Sequence, residues 1–172
     1  MDEKLAWDVV KTIGEGAWGL VVSNQKLANL TQKKVNAVPN VQDWQSVAGA
    51  RGPEEVPLSY EQSWYYTSED TTRCHVRVYW MHSATYQGRG AYIPEAWVDV
   101  IDVDPTWWTF APDNVLNVNV EAHGPYNAGT PEDPIAQLVM AVTFDERSAV
   151  GEQETRTHHV TIFGDGRPAQ VS

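Results

Sequence analysis

The sequence predicts a mainly β protein, an antiparallel β-sandwich preceded by an N-terminal amphipathic helix. The stretch Leu116-Asn117-Val118-Asn119-Val120-Glu121-Ala122 alternates apolar and polar residues with period two, as a strand does when one face covers a core and the other meets water. Turn sequences bound it, Ala111-Pro112-Asp113-Asn114 before and His123-Gly124-Pro125 after, so its apolar face is buried only by pairing with other short strands. The same alternation recurs in Val56 to Tyr66, Cys74 to Trp80, Leu138 to Phe144 and His158 to Ile162.

The 172 residues suit one domain, with residues 1–34 as a helical segment and 35–172 as the sandwich. Charge separates the two parts. Residues 1–34 hold all five lysines against four acids, whereas 35–172 hold seven arginines against nineteen acids. Within the first part, Lys4, Asp8, Lys11 and Glu15 draw a polar stripe along a helix over residues 5–22, whose other sides carry Leu5, Trp7, Val9, Ile13 and Trp18. Gly14, Gly16 and Gly19 each cost about 1 kcal/mol relative to alanine, so such a helix needs a surface to lie on. Its length, about 27 Å, approaches the hydrocarbon thickness of a bilayer and permits a membrane role.

Asp43 to Pro57 reads as a loop, followed by a hairpin whose strands are Val56 to Tyr66 and Cys74 to Trp80. Gln87-Gly88-Arg89-Gly90 is the most distinctive loop, because flanking glycines hold Arg89 clear of its neighbours beside Tyr86 and Tyr92. Two short strands are expected around Ala91 to Ile93 and Trp97 to Val103, divided by Pro94. Trp107 and Trp108 lie between turn signals, and adjacent strand residues face opposite sides, so one of them is available to stack on a sugar or rest among lipid headgroups. A Gly/Pro-rich loop covers His123 to Pro134, and the last strand closes at Gly164-Asp165-Gly166.

The net charge of −11 offers no basic patch for nucleic acid. Cys74, the only cysteine, falls on a strand and reads as a small buried hydrophobe. The opening Met-Asp-Glu-Lys lacks signal-peptide character, and no apolar run approaches about 18 residues. A soluble protein, cytoplasmic as made, is therefore expected, with release or secretion left open. No GxSxG or phosphate-cradling motif occurs, no dinucleotide-type GxGxxG follows an expected strand, and neither HxH nor HExxH is present, so neither a catalytic residue nor a cofactor is assigned. His75, His82, His123 and His158 are the histidines to consider for a metal; regular strand geometry points His75 and His82 to opposite faces, and no metal site is assigned. Asp99, Asp102 and Asp104 match no complete calcium loop. Glu61, Glu95 and Glu121 are generic candidates for a glycosidase pair.

An amphipathic start before a Trp/Tyr-rich, disulfide-free sandwich resembles the actinoporin-like cytolysins and the related fruiting-body lectins. The order Gly90-Ala91-Tyr92-Ile93, Val118-Asn119-Val120-Glu121-Ala122 and Leu138-Val139-Met140 is similar to the C-terminal half of the thermostable direct haemolysins. This resemblance, over about a third of the chain, implies membrane binding through exposed aromatics, oligomerisation and insertion of the N-terminal helix. It implies no individual site residue. The phosphocholine-site pattern of actinoporins is not recognisable in this sequence.

The expected function is thus non-enzymatic binding of membrane lipid or surface glycan, with pore formation as its stronger form. Tyr86, Arg89, Trp107, Trp108 and Tyr126 would form the contact surface and residues 5–22 the mobile element. The alternatives are an assembly subunit that forms a homo-oligomer through its N-terminal helix, and a small hydrolase or metal-dependent enzyme.

Overall fold

The computed structural model describes residues 10–11, 18–23, 26–27, 34–39, 47–63, 71–105, 115–147 and 151–172. They form two antiparallel sheets. The first contains β1 (Val10–Lys11), β4 (Val35–Pro39), β5 (Val47–Ala48), β6 (Arg51–Ser63), β7 (Thr71–His82), β8 (Ala84–Tyr86) and β9 (Arg89–Pro105). Its main order is β1-β4-β9-β7-β6, with β8 bridging β9 and β5. The second contains β2 (Trp18–Ser23), β3 (Lys26–Leu27), β10 (Val115–Asn127), β11 (Ala136–Arg147), β12 (Gln153–Phe163) and β13 (Gln170–Val171), in the order β13-β12-β11-β10-β2-β3.

The core follows the alternation. Leu58 and Tyr60 of β6 and Cys74, Val76, Val78 and Trp80 of β7 are buried with Leu116, Val118 and Val120 of β10 and Leu138, Met140, Val142 and Phe144 of β11. Register makes these residues neighbours: Val118 lies opposite Phe144, Val120 opposite Val142, and Leu58 opposite Val76. One charge is enclosed among them. Glu146, fully buried, accepts hydrogen bonds from the Tyr60 hydroxyl at 2.9 Å and from Thr72 Oγ1 at 2.6 Å, so a strand of the second sheet is tied to two strands of the first. Burial, then the neighbouring Glu146 carboxylate, push the Tyr60 hydroxyl pKa up. Burial, then Asp102, push the Cys74 thiol up to about 12.

Several expected boundaries change. The helix expected over residues 5–22 lies mostly outside the described residues, including Leu5, Trp7, Val9 and Ile13. Its described parts run as strand: Val10–Lys11 beside β4, and Trp18 to Val22 within β2, paired with Val120 to Leu116 of β10. There Trp18, Val21 and Val22 carry β propensity, and the stretch pairs along β10. The expected loop before Pro57 is strand from Arg51. Proline is tolerated there because β6 is the edge of its sheet among the described residues.

Pro94 likewise does not divide β9, a single strand of 17 residues. Pairing with β7 begins only at Ala96, so β7 needs no donor from position 94. The expected loop from His123 instead continues β10 to Asn127 through a register shift between His123 and Tyr126.

Candidate functional site: a groove on the outer face of the first sheet

β6, β7 and β9 lie side by side in register, so their outward residues line up in rows across three strands. Glu55 stands opposite Tyr79, which stands opposite Trp97; Pro57, Arg77 and Asp99 form the next row; Ser59, His75 and Asp102 the third. The third row depends on a bulge. Val100 pairs with Val76 and Asp102 with His75, which leaves Ile101 as an extra residue on β9. Ile101 and Asp102 are therefore both turned outward, and Ile101 is 49% exposed. Around this bulge lies a groove of about 520 Å³ bordered by Pro57, Ser59, His75, Arg77, Ile101 and Asp102.

An aromatic ladder closes one side of this face. Tyr79 and Trp97 stack with ring centroids 5.3 Å apart and planes inclined by 16°, and the Lys34 ammonium sits 5.5 Å from the Trp97 ring centre. Lys34 is itself ion-paired with Glu95. The Trp97 indole N–H donates to Asp99 Oδ2 at 3.2 Å, which fixes a carboxylate beside the groove. A hydrogen bond with Tyr79, then the Glu55 charge, raise the pKa of the Arg77 guanidinium, whose Nη1 also donates to Glu55 Oε2 at 3.4 Å. His75 Nδ1 and Asp102 Oδ2 are 3.9 Å apart, too far for a hydrogen bond and close enough for one ligand hydroxyl to engage both.

This arrangement sets hydrogen-bonding groups beside apolar surface. The carboxylate, guanidinium, imidazole and Ser59 hydroxyl supply planar and rotatable hydrogen-bonding groups, and Pro57 and Ile101 supply apolar surface for C–H faces.

The residues singled out from the sequence are placed differently. Gln87 and Gly88, with φ of 51° and 72°, form the two-residue turn between paired Tyr86 and Arg89, a left-handed geometry that matches the twist of a hairpin. The glycine-flanked arginine is thus a hairpin corner. Tyr86 packs half-buried against the core, Arg89 is exposed, and Tyr126 is 50% exposed on β10. The bridge between Ala91 and Ile135 brings the start of β9 against the loop that follows β10, so Arg89 and Tyr126 belong to the same end of the sandwich. Trp107 and Trp108 lie outside the described residues.

The titratable candidates are likewise dispersed. His75 is outward and His82 buried, as strand alternation requires, while His123 and His158 belong to the second sheet. Glu61 faces Arg73 at 3.6 Å, Glu95 pairs with Lys34, and Glu121 faces His123 at 3.7 Å, so each of these carboxylates has a local partner. Among the described residues no helix is long and apolar enough to cross a membrane.

Sequence reading did not single out Arg77, Tyr79 and Trp97 as a group. The available signal was their shared outward parity, Arg77 with Tyr79 and Trp97 with Asp99, on two strands whose adjacency the sequence did not state. Comparison of the chain with protein-family models, with curated proteins and with solved structures returned no match.

Proposed function

We propose that the protein is a carbohydrate-binding protein that holds a short neutral or amino sugar in the groove around Ile101. The observation that carries this reading is the juxtaposition of His75, Asp102, Arg77 and Ser59 with the apolar Pro57 and Ile101 in one groove beside the Tyr79–Trp97 ladder. Asp99, Asp102 and Glu55 surround Arg77 and His75, so the local field disfavours sialylated or sulfated sugars. The resemblance to fruiting-body lectins points the same way.

A glycan array of neutral, amino and anionic sugars, followed by titration calorimetry, tests the proposal. Asp102→Asn removes a charged hydrogen-bond acceptor and should weaken binding about tenfold or more. Trp97→Ala releases the indole N–H that holds Asp99 and should also weaken it. Unchanged binding in both variants would remove the groove as the site. Binding to phosphatidylcholine vesicles that is lost in Tyr126→Ala and kept in Asp102→Asn would instead place recognition at the Arg89–Tyr126 end and favour the membrane-lipid reading.

A further inference from the structure

At the end of β7, on the opposite face from the sugar groove's His75, three side chains form a linked series. His82 Nδ1 lies 2.7 Å from Ser83 Oγ, and His82 Nε2 lies 3.5 Å from Glu54 Oε1. The ring is held in a slot rather than at the surface, with its side chain 11% exposed. Two glycines make that slot. A Cβ on Gly166 would collide with the ring at Nδ1 and Cε1, and one on Gly52 would reach Cδ2 at 3.4 Å.

Ser83 is the single residue between β7 and β8, with a left-handed φ of 58°. Its N–H donates to the Gly164 carbonyl at 2.6 Å, which pins the turn. A non-glycine residue in this region is strained, and such strained positions recur where a nucleophile must be presented on a sharp turn. The Glu54 carboxylate favours the tautomer with hydrogen on Nε2, which leaves the Nδ1 lone pair facing the serine hydroxyl.

We propose that Ser83 is a nucleophile for acyl transfer, with His82 as its general base and Glu54 as a positioning residue that sets the imidazole tautomer. The two ring nitrogens exchange the roles they have in the usual serine-histidine-carboxylate order, and either nitrogen of a neutral imidazole can accept the proton. Ser83 Oγ bonds to the carbonyl carbon of an ester as its proton passes to His82 Nδ1, and the imidazolium is stabilised by Glu54. The C–O bond to the leaving alcohol then breaks, with the proton returned from Nδ1 to that oxygen. Water attacks the acyl-serine with the same base and regenerates Ser83 and the free acid.

The test uses the full chain with a fluorophosphonate probe and with p-nitrophenyl acetate. The expected result is one phosphonyl adduct, mapped to Ser83 by peptide mass spectrometry, with ester turnover that Ser83→Ala abolishes. His82→Gln should slow labelling about 100-fold. Because His82 is buried and its replacement can disturb folding, the exposed Glu54 provides an independent arm: Glu54→Gln should slow labelling, and Glu54→Asp should restore part of the rate. Absence of an adduct overturns the proposal. So does labelling spread equally over Ser59 and Ser63, or a Ser83 labelling rate unchanged in Glu54→Gln.

Discussion

Replacing Tyr60 by phenylalanine isolates the hydrogen bond that crosses the sandwich at Glu146. The ring of Tyr60 stacks on Phe144 with centroids 5.1 Å apart and planes inclined by 10°, contacts that phenylalanine keeps. What is lost is the hydroxyl that donates to a fully buried carboxylate at 2.9 Å, while Thr72 continues to donate to the same group. A hydrogen bond to a charged acceptor is worth about 1.5 to 3 kcal/mol, so Tyr60→Phe should destabilise the fold by about 2 kcal/mol. For a chain of this size the melting temperature should fall by about 4 to 8 °C. Urea denaturation measures the loss directly, and a double-mutant cycle with Glu146→Gln separates it from changes in packing. A loss below about 0.5 kcal/mol with no coupling to Glu146→Gln would refute the assignment of this bond as a stabilising tie between sheets.

Three further outcomes follow from the geometry. Gly166→Ala combines a left-handed φ of 77° with a methyl against the His82 ring and should cost about 2 kcal/mol, whereas Gly88→Ala, with φ of 72° and open space, should cost only about 1; equal losses in denaturation would discount the ring contact. Cys74 is fully buried with its thiol pushed up to about 12, so it should react with a disulfide reagent only at the rate of unfolding, and rapid native-state reaction would contradict the described packing. Burial, then Arg156 and His159, lower the pKa of His158. The folded chain therefore binds this proton less readily than the unfolded chain. Its contribution is fully present above the ordinary histidine value of about 6.5 and is lost as pH falls through the depressed value. Thermal melts between pH 7 and 5 should show a shallower decline in His158→Gln than in the parent, and parallel declines would dismiss that contribution.

The fold was legible where pattern and partner agree. Leu116 to Ala122 announces its two faces in sequence, and β10 buries the residues that the alternation selects. Boundaries were less legible, because they depend on what lies beside the chain. Pro94 reads as a break, yet it lies within β9, whose pairing with β7 begins only at Ala96. Trp18 to Val22 lies beyond the polar stripe that ends at Glu15 and carries β-forming residues, and it pairs with β10 in the described chain.

The candidate site was illegible for a related reason. β7 shows both of its faces in sequence, with Cys74, Val76, Val78 and Trp80 on one and His75, Arg77 and Tyr79 on the other, and the outward set looks like an ordinary solvated face. Only register turns it into a site, by setting Arg77 beside Asp99 and Tyr79 beside Trp97. The decisive clue is the interval from Val100 to Val103, three residues where regular alternation would give two. Without the bulge, regular alternation that sends Val98 and Val100 inward would carry Asp102 into the core and Val103 into water. The bulge at Ile101 restores Val103 to the apolar side and leaves Ile101 and Asp102 together at the groove. The irregularity that preserves the core is therefore the same one that assembles the proposed sugar site.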